Sequence, residues 1–231
     1  LRLVREFEHK LPPSQAGFRR LFRTVDNVYV LSRLMDVALE LEKDLVVTFI
    51  DFVAAFDTVS HRFLDEALQD IGASDKSRAL FRTIYDSATA RVRITSPDGP
   101  ITGEPLPVDR GVLQGDVFSP LCFITALALI TRRHAVPREE LGAFGVLVDI
   151  LEYADDAALL DSSTAFASDR ISRLAAGARV DAGMEISIDK TKAMHVRRAV
   201  DLGAPPEELF EELVLPHACA LCGRRFPTHQ G

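Results

Sequence analysis

Apolar residues at Val30, Leu31, Leu34, Val37, Ala38 and Leu41 follow a helical period and predict a helix over residues 26–43. The next run, Leu45 to Ile50, is apolar and β-branched and stops at Asp51, as a buried strand would. From Ser60 to Ile71 the apolar positions Phe63, Leu64, Ala67, Leu68 and Ile71 share one helical face, and Gly72 marks the stop. A second helix is expected from Ser74 to Ala88. The alternation of Ala90 to Ile94, then the turn cluster Ser96 to Pro100, predicts a hairpin whose return strand lies near Leu106 to Asp109.

Further along, Ser119-Pro120 opens an apolar helix from Leu121 to Arg133, with proline where a first turn tolerates it. Gly145 to Glu152 and Ala157 to Leu160 flank Tyr153-Ala154-Asp155-Asp156 as the arms of a hairpin. Residues 164–182 read as a helix, and Gly183 to Ile188 as a turn into a short strand. From Asp201 to Pro216 a Pro/Glu-rich stretch reads as a linker leading to a small Cys/His segment.

Hydrophobic residues make up 47% and charged residues 26%, a globular balance with room for one sizeable core. No stretch reaches the roughly 18 apolar residues of a membrane span, so a soluble chain is expected. No secretory signal opens the sequence, and the start at Leu1 in mid-pattern suggests a piece of something longer. Three cysteines are too few for a disulfide framework, which fits a reducing compartment. The net charge of −7 is unlike that of a simple nucleic-acid-binding module. It is unevenly spread, however: residues 1–35 carry Arg2, Arg5, Lys10, Arg19, Arg20, Arg23 and Arg33 against Glu6, Glu8 and Asp26. Such a face can follow a phosphate backbone while the whole chain is acidic.

The candidate chemistry lies in carboxylates at strand ends. Asp51 ends an apolar strand, and Asp155 and Asp156 sit at a hairpin tip. Placed in an apolar setting, such groups are costly unless charge partners or metal ions offset them. Nucleotidyl transfer uses a set of this kind to hold two hard divalent cations. Taken singly, each aspartate has a plainer reading as a cap or turn former. Asp57, just before Ser60, fits helix entry better than metal binding.

The segments Phe49 to Asp57, Gly111 to Pro120 and Tyr153 to Asp156 occur in that order and closely resemble three successive motifs of reverse transcriptases, especially those of non-LTR retrotransposons. Gly183 to Lys192 resembles the family's next motif, and Gln15-Ala16-Gly17-Phe18-Arg19 a fingers-region motif upstream. The resemblance covers roughly residues 12–196. It implies an α+β fold, a right-hand polymerase palm in which a small antiparallel sheet is backed by helices on one face. Partial fingers would occupy residues 1–44 and the palm-centred core residues 45–198. Residues 199–216 would be an acidic linker and 217–231 a truncated Cys/His segment, with the thumb missing.

The resemblance further implies that Asp51 and Asp155 are paired metal ligands, with Asp156 their acidic partner and the Phe52 backbone carbonyl completing the shell. The ions would be two Mg²⁺, or Mn²⁺. Phe56 falls at the steric gate against a ribose 2′-hydroxyl, although alone it reads as a core aromatic. Gln114 and Gly115 would line the nucleotide and template pocket, where a structural turn would look the same. Arg19 would grip the nucleotide, and Lys190 would lie near the triphosphate or else be a solvated lysine. Ser119 reads equally as a helix N-cap. The implied partners are an RNA template, a DNA primer and deoxynucleoside triphosphates, with no membrane.

Two departures stand out. The stretch Arg20-Leu21-Phe22-Arg23 lacks the family's Pro-Gly turn, and no basic thumb follows Lys192. Cys219, Cys222 and His229 form half of a Zn²⁺ site, which only a longer chain would complete. The rival readings are an RNA-dependent RNA polymerase, which shares the palm carboxylates, and an inactive remnant that binds nucleic acid or nothing.

Overall fold

The computed structural model describes residues 6–97, 99–113, 115–136 and 148–197. The expected linker and the Cys219, Cys222 and His229 segment lie outside these residues, as does Gln114. Helix α1 (Thr24–Glu40) begins where the Asp26 carboxylate accepts from the Arg23 backbone N–H at 3.0 Å, the reciprocal half of a capping box. Strand β1 (Leu45–Ile50) follows, then a short helix α2 (Ala55–Thr58) that contains Asp57. Helices α3 (His61–Asp70) and α4 (Asp75–Tyr85) are capped by Ser60 and Ser74, whose hydroxyls accept from the Phe63 and Ser77 N–H groups.

Strands β2 (Thr89–Ala90), β3 (Arg93–Ser96), β4 (Gly99–Thr102) and β5 (Leu106–Pro107) form two small ladders. Here the structure corrects the sequence reading. β3 pairs with β4 through Ser96↔Gly99, while Leu106 returns to Ala90. The turn cluster closes the tightest hairpin it can, and the segment near Leu106 is left to pair one tier lower.

Helix α5 (Ser119–His134) has every residue from Leu121 to Thr131 buried. A helix apolar on all sides must lie inside the molecule, and α5 packs between α3 and helix α6 (Thr164–Gly177). Its two inner threonines cause no loss, because Thr125 and Thr131 donate to the Leu121 and Leu127 carbonyls at 2.8 and 3.1 Å. The helix expected to run to residue 182 ends its regular turns at Gly177 and widens into a π turn, Ala178–Ala182.

Strands β6 (Ile150–Tyr153), β7 (Asp156–Asp161), β1 and β8 (Lys192–Val196) build one antiparallel sheet in the order β6-β7-β1-β8. Strand β8 corrects a second expectation. In the Gly183 to Ile188 segment Ile186 forms an isolated bridge to Phe52, and the full strand comes only at Lys192.

The sheet is covered on both faces, where helices on one face were expected. Ile50, Ala157 and Leu159 face the layer of α3, α5 and α6. Leu45, Val47, Ala158, Leu160 and Leu151 face Leu34 and Ala38 of α1. Central strands β1 and β7 therefore read as near-continuous apolar runs and not as alternating ones. Among the described residues no helix is long and apolar enough to cross a membrane.

Arg170 on α6 ties the layers together. Its side chain is 1% exposed and donates to the Asp149 carboxylate at 2.7 Å, to Asp161 at 3.4 Å, and to the carbonyls of Ala135, Asp149 and Leu160. Removing one partner of a buried pair strands the others without water. Arg170→Ala is therefore expected to cost about 3–5 kcal/mol, read as a lower urea midpoint at unchanged slope.

Candidate active site

Asp51, Asp155 and Asp156 lie at one end of the sheet. In the β1–β7 ladder Ile50 pairs with Ala157, so one further step sets Asp51 against Asp156. In the β6–β7 ladder Tyr153 pairs with Asp156, which leaves Ala154 and Asp155 as a two-residue tip. Because side chains alternate along a strand, Asp51 and Asp156 leave the sheet on the same side. The Asp156 carboxyl is held above the ordinary carboxylate range by partial burial, then by the charges of Asp155 and Asp51. Burial leads that shift, and the two neighbouring carboxylates add to it.

One cation already leans on the group. The Lys190 ammonium, itself 71% exposed, lies 3.4 Å from an Asp51 carboxylate oxygen. The loop that carries it is fastened to the end of β1: Val53 N–H donates to the Glu185 carbonyl at 2.8 Å and Ser187 N–H to the Asp51 carbonyl at 2.7 Å. Successive carbonyls on an extended strand point to opposite edges. With the Asp51 carbonyl turned toward this loop, the Phe52 carbonyl is directed to the β7 side, where the hairpin tip lies. The Phe52 ring is buried. Among the described residues no three His, Cys, Asp or Glu side chains are already gathered tightly enough to hold an ion. Asp51, Asp155 and Asp156 nonetheless share one end of the sheet.

Phe56 on α2 is half-buried, stacked on Phe123 of α5 with ring centroids 4.1 Å apart and met edge-on by Phe18 at 6.2 Å. It is thus both a core aromatic and a wall beside the strand that ends in Asp51. Gly115 has φ +88°, a conformation costly for any side chain, with open space where a Cβ would sit. Its requirement is conformational and not steric.

The loop holding Gly115 is braced by a residue the sequence reading passed over. Tyr85, 1% exposed, shares a 2.8 Å hydrogen bond with Ser119 and accepts from the Leu113 N–H at 3.4 Å. Ser119 in turn donates to Asp116 at 3.2 Å. Burial raises the Tyr85 pKa, which keeps the phenol neutral. A lone tyrosine at the end of an amphipathic helix carries no signal of this role.

Arg19, expected at the nucleotide, is turned onto its own segment. Its guanidinium donates to the carbonyls of Pro12 (2.7 Å), Gln15 (2.8 Å) and Glu8 (3.1 Å) and lies over the Phe22 ring. In place of the absent Pro-Gly turn, this staple fixes the chain. Gln15, quoted from the same motif without a role, is buried against Ala154. A cavity of 690 Å³ lies elsewhere, bounded by Asn27, Val30, Thr131 and Leu151, and holds none of the three aspartates.

Comparison with known proteins fits this geometry. The profile of the family described as "Reverse transcriptase (RNA-dependent DNA polymerase)" matches residues 1–211, most of the chain. The chain belongs to the reverse transcriptase family. The Pol polyprotein of the type-1 retrotransposable element R2 from Popillia japonica is 26% identical over 216 residues, covering 90% of this chain. Its counterpart from Nasonia vitripennis is 28% identical over 167 residues, or 70% of the chain. This reverse transcriptase chain spans only 29% and 15% of the length of those two relatives. Apo telomerase from Candida tropicalis shares the fold, with a TM-score of 0.59 at 12% identity over 87% of this chain and 35% of that one. Members of the family generally use divalent metal ions.

Beside the reverse transcriptase tetrad lies one further acid. Glu152 is 1% exposed, and burial pushes its carboxyl up to about 7 although the Ser14 and Thr131 hydroxyls favour the charged form; Asp149 adds to the rise and Arg170 works against it. The unfolded chain holds that proton only up to about 4.5. Its stabilising contribution is therefore complete below pH 4.5 and is lost as the pH climbs to about 7. Glu152→Gln is expected to melt with the parent at low pH and to exceed it at pH 8, by up to about 3 kcal/mol, in melting curves taken across pH.

Proposed function

We propose that this chain adds deoxynucleotides to a primer 3′-hydroxyl on an RNA template, as the polymerase core of a non-LTR retrotransposon. The observation that carries the reading is the convergence of Asp51, Asp155 and Asp156 from two strands onto one end of the sheet, where partial burial first, and the charges of Asp155 and Asp51 after it, raise the Asp156 carboxyl. Like charges held close at a cost are a mark of a site that binds something positive.

Asp51, Asp155 and Asp156, with the Phe52 carbonyl, would hold two Mg²⁺ or Mn²⁺ ions. When bound, such ions supply the positive charge that activates the attacking hydroxyl and steadies the leaving group. The new bond joins the primer oxygen to the α-phosphorus, the bond to pyrophosphate breaks, and the hydroxyl proton passes to solvent. Lys190, exposed and already beside Asp51, is placed to move from carboxylate to phosphate once the charge on Asp51 is otherwise met. Phe56, backed by Phe123, is a rigid wall against a 2′-hydroxyl. Gly115 keeps the pocket loop free of a side chain. The partners are thus an RNA template, a DNA primer and deoxynucleoside triphosphates.

Primer extension with Mg²⁺ on an RNA template tests the reading directly. Asp155→Ala is expected to lower extension by more than about 100-fold, since a charge aimed at the transition state is removed. Parent activity that survives in the variant would sink the assignment of the aspartates. Phe56→Ala is expected to raise ribonucleotide use relative to deoxynucleotide use by roughly 10–100-fold. A parent chain that already prefers ribonucleotides would instead mark an RNA polymerase.

A further inference from the structure

The tip that carries Asp155 is not shaped by its own sequence. Ala154 has φ +57°, the left-handed region that a non-glycine residue enters only when its surroundings over-determine it. An isolated Tyr-Ala-Asp-Asp turn would favour other conformers, and each would aim the Asp155 carboxylate differently.

The surroundings that hold it come from far upstream in the chain. Residues 14–16 lie alongside β6 as a parallel strip: Glu152 N–H donates to the Ser14 carbonyl at 2.9 Å, and Ala16 N–H to the Glu152 carbonyl at 2.8 Å. This strip delivers the Gln15 side chain, fully buried, to the tip. Its carbonyl oxygen accepts from the Ala154 N–H at 2.9 Å and the Gly17 N–H at 2.8 Å, while its amide nitrogen donates to the Ala154 carbonyl at 3.2 Å. Both polar groups of the strained residue are thus held by one side chain. Gly17 closes the clamp from the main chain, since a Cβ there would fall 2.1 Å from the Ala154 nitrogen. One residue on, Phe18 meets Phe56 edge-on, so the same short segment touches both the metal-side tip and the gate wall.

We propose that Gln15 is the positioning residue of the site: it selects the left-handed conformer of Ala154 and thereby sets the direction of Asp155 toward the cation. This rests on the reading of Asp51, Asp155 and Asp156 as cation ligands. Gln15 touches neither substrate nor ion in this scheme and acts through the backbone of Ala154. The donor and the acceptor are both required, because a hydrogen bond at one end of a residue leaves its rotation at the other end unset. Glutamine supplies both on one planar group at the reach that the 14–16 strip dictates.

Mn²⁺ binding to the full chain, followed by isothermal titration calorimetry with melting curves alongside, tests the proposal without relying on turnover. Gln15→Met keeps the buried volume and removes the donor and the acceptor. It is expected to weaken Mn²⁺ binding at least tenfold while the chain still melts cooperatively near the parent. Adding Ala154→Gly should recover part of that loss, because glycine adopts positive φ unaided; a merely structural role for Gln15 would give no such recovery. Should Gln15→Met fail to fold, Gln15→Asn, with an amide one methylene short of Ala154, decides the same question. Parent-like affinity in a folded Gln15 variant, with binding lost in Asp155→Ala, overturns the proposal and leaves the carboxylate site standing. Parent-like affinity in Asp155→Ala overturns both, since Gln15 would then have no ligand to position.

Discussion

The site depends on the antiparallel register between β1 and β7. Ile50 against Ala157 is the pairing that carries Asp51 to Asp156. A slip by one residue would turn Asp51 to the opposite face and drive Leu159 and Leu160 to the wrong layers. Such a slip is opposed because Ile50, Ala157 and Leu159 pack into one apolar layer while Leu45, Val47, Ala158 and Leu160 pack into the other. The packing of the core and the placement of the charges are one constraint.

Apolar strands that end in acids create an electrostatic problem, and the surrounding elements answer it locally. The Ser187 and Val53 hydrogen bonds anchor the Lys190 loop so that an ammonium reaches Asp51. Asp51 and Asp155 are half-buried and Asp156 is exposed at the sheet end. Behind them the acids are dealt with in a different way: burial raises the Glu152 carboxyl to about 7, and Asp149 and Asp161 share the buried Arg170. Asp51, Asp155 and Asp156 are instead grouped at the rim of the sheet, close enough that the first two help to raise the Asp156 carboxyl beyond what burial does.

The same division appears in how the loops are held. The Gly115 loop is braced from within by Tyr85, Ser119 and Asp116. The Asp155 tip is braced from outside the hairpin by Gln15. Arg19, spent on three carbonyls, secures the segment that carries Gln15. A charged residue of the fingers motif therefore serves the architecture that a neutral neighbour uses to reach the site.

Much of this was legible in the chain itself. Helix α1, strand β1 and helices α3 to α5 follow from periodicity and caps, because local propensity and burial agree there. The family motifs single out Asp51, Asp155 and Asp156 in the sequence. Sequence alone misassigned the partner of β3, placed a strand near Ile186 and not at Lys192, and expected helices on one face of the sheet where α1 covers the other. The first two are choices between near-equivalent short pairings, and the third is a matter of how layers pack. The roles of Gln15, Tyr85 and Arg19 were likewise out of reach. A polar side chain carries the same letters whether it faces water or a backbone more than a hundred residues away. What separates the two is burial, and burial is a property of the folded whole.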